Sequence, residues 1–281
     1  MNSACALPMF LAVAMVCRAQ SQPITVTSGA DFGLGVPANG SIVTLFCVGL
    51  SGIDRVSVAL GYPLPRELQG VRVTIGGRTA PLYAVAPVTT GAAQINAQVP
   101  LDAEVEGSNV SIRVEQGQTV LTATSQVRLD SPGEFFRVST SEGIFQKANS
   151  GYALVTNTNP ARSGDILVTY LTGLPAATPP VPAGEAAPFE PLSIVPQYSL
   201  PAGIEELSLL IDGLAVRPIF VGLAPGLAGV YQVNFTLPSV ASPVAEIVLQ
   251  RRSCRAAFGS CVNGGGSTRT TRSTAVRLPV N

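Results

Sequence analysis

Three acids, Asp102, Glu104 and Glu106, stand on alternate positions just after Pro100. In an extended segment they point the same way, and grouped carboxylates at the end of a β-sandwich are oxygen ligands for Ca²⁺. The competing reading is a solvated loop or strand face. The chain favours the second, because the later, similar segment 239–244 carries no acid. Gln94, Asn96 and Gln98, and again Gln232, Asn234 and Thr236, put a polar face on a strand. Amides on a flat sheet can bond sugar hydroxyls, or they can satisfy the backbone of crossing loops. Arg251, Arg252, Arg255, Arg269 and Arg272 gather in residues 251–281, which hold no acid. A guanidinium fork pairs two-point with carboxylate or phosphate, so acidic polysaccharide, lipid A phosphates or an acidic protein are candidate ligands. Alternatively these arginines pair with the acidic remainder of the chain or are solvated.

The residue inventory narrows the chemistry. The 281 residues include no His, no Trp and one lysine, Lys147. Without His there is no His-based triad, no His metal site and no usual general base at neutral pH. No GxSxG elbow, Cys/His metal spacing or phosphate-binding glycine loop is present. These features point away from an enzyme, and no cofactor is expected. Net charge is zero, but residues 20–250 carry nine Arg and one Lys against 17 acids, a net of −7, while residues 251–281 carry six Arg, a net of +6. Nucleic acid is a poor partner, because the basic segment lacks interleaved aromatics.

Ala4–Val16 is apolar over about 13 residues, the length of a signal-peptide core rather than a membrane span. Ala19 offers the small side chain that cleavage before Gln20 needs. Residues 1–19 are thus expected to be a leader, and the mature chain to be secreted, periplasmic or at the cell surface, without a transmembrane segment. Of the five cysteines, Cys5 and Cys17 fall in the leader. Cys254 and Cys261 flank six residues, a spacing that suits a local structural disulfide in an oxidising compartment. Cys47 lies in the apolar run 42–48 and is expected to be a buried, unpaired thiol.

A repeat positions all of these residues. Pro37-Ala38-Asn39-Gly40-Ser41-Ile42, a strand and Gly49-Leu50 return as Pro160-Ala161-Arg162-Ser163-Gly164-Asp165-Ile166, a strand and Gly173-Leu174. Ile75-Gly76-Gly77 matches Ile211-Asp212-Gly213, and Gln94–Pro100 matches Gln232–Pro238. The landmarks are collinear, with offsets of 124, 136 and 138 residues. Two homologous units are expected, not a solenoid. Residues 71–75, 110–115 and 231–237 alternate apolar and polar with period 2, which marks half-buried strands. Further strands are expected at 41–48, 55–60, 120–129, 152–156, 165–172, 207–211, 219–222, 245–251 and 274–279. Gly76-Gly77 and Asp212-Gly213 supply tight hairpin turns. Pro175–Pro191 holds six prolines and reads as an extended loop, and Asn263–Ser267 as a loop tip. The fold class is all-β: two tandem immunoglobulin-like antiparallel β-sandwich domains, 24–130 and 131–281, the second with an Arg-rich, Cys-containing excursion.

These landmarks, with Thr178–Gly184, Gly222–Gly226 and Tyr231–Asn234, resemble an uncharacterised domain family abundant in secreted proteins of soil Acidobacteria. The first unit is similar to its first half through Gly40–Val43, Pro63–Pro65, Gly70-Val71, Ala80–Tyr83 and Gln94–Pro100. The resemblance covers about residues 28–250 and implies tandem immunoglobulin-like units similar to IPT/TIG modules, with no catalytic site. Two departures are expected: the module stands without a large N-terminal partner domain, and Arg251–Arg272 is foreign to the pattern. The expected function is a non-catalytic interaction, adhesion or envelope-assembly module for an unknown extracellular protein or polysaccharide. Carbohydrate binding is the alternative, and a cryptic hydrolase a distant third.

Overall fold

A computed structural model describes residues 23–89, 91–128, 132–199, 204–240, 242–254 and 268–281. The expected leader 1–19, Arg255, Cys261 and the loop tip 263–267 lie outside the described residues. The first unit runs β1 Ile24–Ser28, β2 Ile42–Val48, β3 Ser57–Val58, β4 Val71–Ile75, β5 Arg78–Thr79, β6 Leu82–Thr89, β7 Ala92–Gln98, β8 Asn109–Gln116 and β9 Thr119–Gln126. The second begins with β10 Glu134–Phe135, β11 Phe145–Lys147, β12 Ala153–Leu154, β13 Ile166–Thr172, β14 Tyr198–Ser199 and β15 Ile204–Ile211. It continues with β16 Leu214–Val216, β17 Phe220–Leu223, β18 Tyr231–Thr236, β19 Val244–Cys254, β20 Thr268–Arg272 and β21 Val276–Pro279. Among the described residues the helical content is one 3₁₀ turn, Ala148–Ser150.

Every strand pairs antiparallel, in four sheets. In the first unit β1-β2-β7-β6-β3 faces β5-β4-β8-β9. Val43, Leu45, Val85 and Ile95 of one sheet share a core with Val73, Ile75, Ile112 and Val114 of the other. The second unit repeats the plan: β12-β11-β13-β18-β17 faces β14-β15-β19-β20, with β10 beside β13, β16 beside β15 and β21 beside β19. Its core is separate and more aromatic. Phe145 lies 6.3 Å from Phe235 edge-on and 6.4 Å from Phe135, surrounded by Leu167, Leu209, Ile247 and Leu278. The chain is therefore all-β and sandwich-like, as period-2 alternation requires when one face of each sheet is buried.

The central strands of the two units correspond. The Cα partners Thr44↔Asn96 and Phe46↔Gln94 in the first match Val168↔Asn234 and Tyr170↔Gln232 in the second. Parallel bridges also recur, Val36 with Val127 and Ala161 with Val280. Both expected hairpin turns form with left-handed backbone, Gly76-Gly77 at φ 54° and 74° and Asp212-Gly213 at 47° and 83°. The proline-rich stretch holds no strand, yet Ala177 and Ala187 are buried in the second core. Two expectations shrink: 55–60 pairs over Ser57–Val58 only, and 152–156 over Ala153–Leu154 only. Strands β1, β14 and β20 were not expected, and the first strand expected for the second unit within 131–159 is split into β10 and β11.

The units meet through buried polar contacts. The Gln98 side chain, 4% exposed, donates from Nε2 to Gly40 O at 3.1 Å and accepts from Gly184 N at 2.7 Å. Thr172 Oγ1 accepts from Ile42 N at 2.8 Å and donates to Gly229 O at 3.2 Å. Tyr83 OH donates to Ala228 O, and Arg128 pairs with Glu134 at 2.5 Å. A Cβ on Gly229, at φ 59°, would stand 2.8 Å from Gly40 O and 2.7 Å from Gln98 Nε2, so the close approach needs glycine.

Candidate ligand-binding face

The outer face of sheet β12-β11-β13-β18-β17 carries the second amide set. Inward residues Tyr231, Val233 and Phe235 are buried, so Gln232 and Asn234 point outward, both partly exposed. Gln232 Nε2 donates to Asn234 Oδ1 at 2.9 Å. The same bond joins Gln94 to Asn96 at 3.0 Å in the first unit, where Thr44 Oγ1 also donates to Asn96 Oδ1 at 3.0 Å. The residue opposite the glutamine is aromatic in both units, Phe46 and Tyr170. In the first unit Phe32, from the loop after β1, lies 6.4 Å from Phe46.

In the second unit a groove of about 590 Å³ opens over the amides. That volume falls in the usual range for small-molecule sites. Four rings line it: Tyr170 on β13, Phe220 on β17, Tyr152 after the 3₁₀ turn and Phe189 at the end of the proline-rich loop. Phe189 is 78% exposed and Tyr152 55%. Phe189 packs over Gly226, whose Cβ would lie 3.3 Å from the ring. Phe220 lies over Gly222, where a Cβ would come within 2.7 Å of the ring and 2.5 Å of Ser193 O. Tyr170 OH donates to Gln146 Oε1 at 3.0 Å. Burial, and then the neighbouring Tyr152, hold the Tyr170 phenol above its ordinary range, so it remains a donor at neutral pH. Among the described residues no charged side chain lines the groove.

The other sequence candidates take different places. Gln98 shares a strand face with Gln94 and Asn96, but the second unit covers it, and it serves crossing loops rather than a ligand. Thr236 is exposed at the end of β18. Asp102 and Glu104 flank Arg78, at 3.0 and 3.4 Å. Among the described residues no group of three or more His, Cys, Asp or Glu is placed to hold a metal ion. Arg251 and Arg252 lie on β19 opposite Thr271 and Thr270, and Arg269 and Arg272 on β20 opposite Ser253 and Gln250. Arg252 meets Glu206 of β15 at 3.1 Å, and Arg272 donates to Gln250 Oε1 at 3.1 Å. Pairing with the acidic remainder thus occurs at Arg252. Cys254 is buried at the end of β19. A second exposed apolar surface runs along Val56, Val58 and Leu60 at the β3 edge of its sheet, beside Tyr62.

Cys47 is free and buried among Leu45, Ile95 and their neighbours. Burial pushes its thiol up to about 12. At pH 8 roughly one thiol in ten thousand is then ionised, and the thiolate is the reactive form. Native protein is expected to leave Cys47 unlabelled by iodoacetamide at pH 8 over hours, with full labelling in denaturant. Mass spectrometry of the Cys47 peptide measures this, and rapid native labelling would refute the burial.

The aromatic members Tyr152, Phe189 and Phe220 were not among the sequence candidates, because loops and separate strands bring them together. Tyr170 was findable: it stands 124 residues after Phe46, the offset of the first repeat landmark. No family model matches the chain, and no curated protein matches it. Among the described residues no helix is long and apolar enough to cross a membrane.

Proposed function

We propose that this chain is a non-catalytic interaction module of the cell exterior or envelope, and that the aromatic–amide face of the second unit is its binding surface. One observation carries the reading: four rings and three amides converge on an open groove, with two of the rings more than half exposed. Exposed aromatics that converge on unused polar groups mark recognition surfaces, since scattered apolar exposure needs no such order. The buried junction supports the same reading, because it holds the two units in a fixed relation. We read these units as immunoglobulin-like, about 24–130 and 131–281, a plan that the paired parallel bridges favour. The resemblance to the secreted Acidobacterial domain family, the leader at 1–19 and a Cys254–Cys261 bridge belong to the same proposal.

The test is cosedimentation of the mature chain with bacterial envelope preparations. Wild type is expected to pellet, and a Phe189→Ala/Phe220→Ala variant to stay in solution with its circular dichroism unchanged. A variant that pellets as well as wild type would remove the face from the account. Carbohydrate binding, the second reading, is favoured by the amide chemistry of the groove.

A further inference from the structure

We infer that the groove over β13, β17 and β18 takes a neutral saccharide, bound by stacking on its rings and by hydrogen bonds to Gln146, Gln232 and Asn234. The inference rests on the interaction reading above and names the ligand class of that face.

Three features select this ligand. First, the rings present apolar surface that is only partly wet. Tyr152 and Phe189 are more than half exposed, and Phe220 is held over Gly222 by the sheet itself. The C–H faces of a pyranose need such flat, rigid aromatic surface, which costs little side-chain entropy to present.

Second, the amides hold unused capacity of both kinds. Gln232 spends Nε2 on Asn234 Oδ1, and Gln146 spends Oε1 on Tyr170. Gln232 Oε1, Asn234 Nδ2 and Gln146 Nε2 have no partner among the described residues. An amide oxygen accepts and an amide nitrogen donates twice. A sugar hydroxyl, both donor and acceptor, matches either. The Gln232–Asn234 and Tyr170–Gln146 bonds fix the amide orientations before any ligand arrives, so less ordering remains to be paid on binding.

Third, among the described residues the lining carries no charged side chain. An acidic glycan, a phosphate or a charged peptide would leave its charge without a counterpart there. Apolar peptides would satisfy the rings but strand the amides. The first unit has the same amide pair, but with Phe32 beside Phe46 and Asn96 Oδ1 already accepting twice. The site is therefore assigned to the second unit alone.

The experiment is an array of neutral oligosaccharides (cello-, laminari-, manno- and galacto-hexaoses) with acidic glycans alongside, read at low and at 0.5 M salt (roughly a 4 Å screening length). The probes are wild type, Phe189→Ala, Asn234→Ala and, as a control away from the groove, Arg272→Gln. The expected result is saturable binding of at least one neutral class, changed less than twofold by salt. Affinity should fall at least tenfold in Phe189→Ala and in Asn234→Ala, and stay unchanged in Arg272→Gln. Phe189 is exposed, so its truncation leaves the fold intact. Binding only to acidic glycans, lost in salt, would overturn the inference, as would neutral binding indifferent to both groove variants. Binding to no glycan, while Phe189→Ala/Phe220→Ala still abolishes envelope cosedimentation, would overturn the saccharide but keep the interaction face. Cosedimentation indifferent to that variant would overturn both.

Discussion

Gln98→Ala is expected to lower the melting temperature by roughly 6–12 °C while Gln94→Ala, the same residue type four positions earlier on the same strand face, shifts it by no more than about 2 °C. The difference is one of surroundings. Gln94 is partly exposed and bonds Asn96. Gln98 is sealed between the units, where its amide supplies Gly40 O with a donor and Gly184 N with an acceptor. Truncation strands both backbone groups out of water. Each stranded group costs about 1–3 kcal/mol, more than the bond itself contributes in the balance with solvent. About 3 kcal/mol in all is expected, with the strand content unchanged. Thermal unfolding followed by circular dichroism reads it, and equal small shifts for the two variants would show that the junction does not carry this weight.

Gly222→Val is expected to cost about 3 kcal/mol and to distort the aromatic groove. Gly222 lies on β17 opposite Gln232, with Ile194 bridged to it on the other side. A side chain there meets Ser193 O at 2.5 Å, the Phe220 ring at 2.7 Å and Ile194 Cα at 3.2 Å. Ring and backbone cannot both keep their places. The segment around Ser193 bonds β17 through Leu223 N to Ser193 O and Val195 N to Val221 O, both near 3 Å, and these bonds should open. Urea denaturation gives the stability loss. Hydrogen exchange at Val195 and Leu223 should speed at least tenfold, and unchanged protection there would contradict the packing described.

The repeat was legible because its landmarks are local: a turn motif, a Gly-containing hairpin and a polar–apolar alternation survive in both copies. Period 2 located β4, β8 and β18 for the same reason. It failed for β10 and β11, two and three residues long, which pair with β13 and carry no pattern of their own. It overreached at 55–60, where Val56, Val58 and Leu60 alternate like a buried strand but remain exposed. For the site, the amides were legible and their division of labour was not. Nothing in Gln94-Ile95-Asn96-Ala97-Gln98 says which amide the second unit will cover. The rings Tyr152 and Phe189 sit outside any strand, 18 residues before and 19 after Tyr170. Only tertiary packing brings them to one groove.

The chain's six tyrosines offer the most direct measurement. Tyr152 and Tyr170 line the groove, Tyr62 stands at the β3 edge and Tyr83 at the junction. Selectively ¹³C-labelled tyrosine in residues 20–281, titrated with the best-binding oligosaccharide and with solubilised envelope, reports all of these surfaces in one spectrum. The ring signals of Tyr152 and Tyr170 are expected to shift with saturation while those of Tyr62 and Tyr83 stay in place. Shifts confined to Tyr62, or no shift at either groove tyrosine, would contradict it.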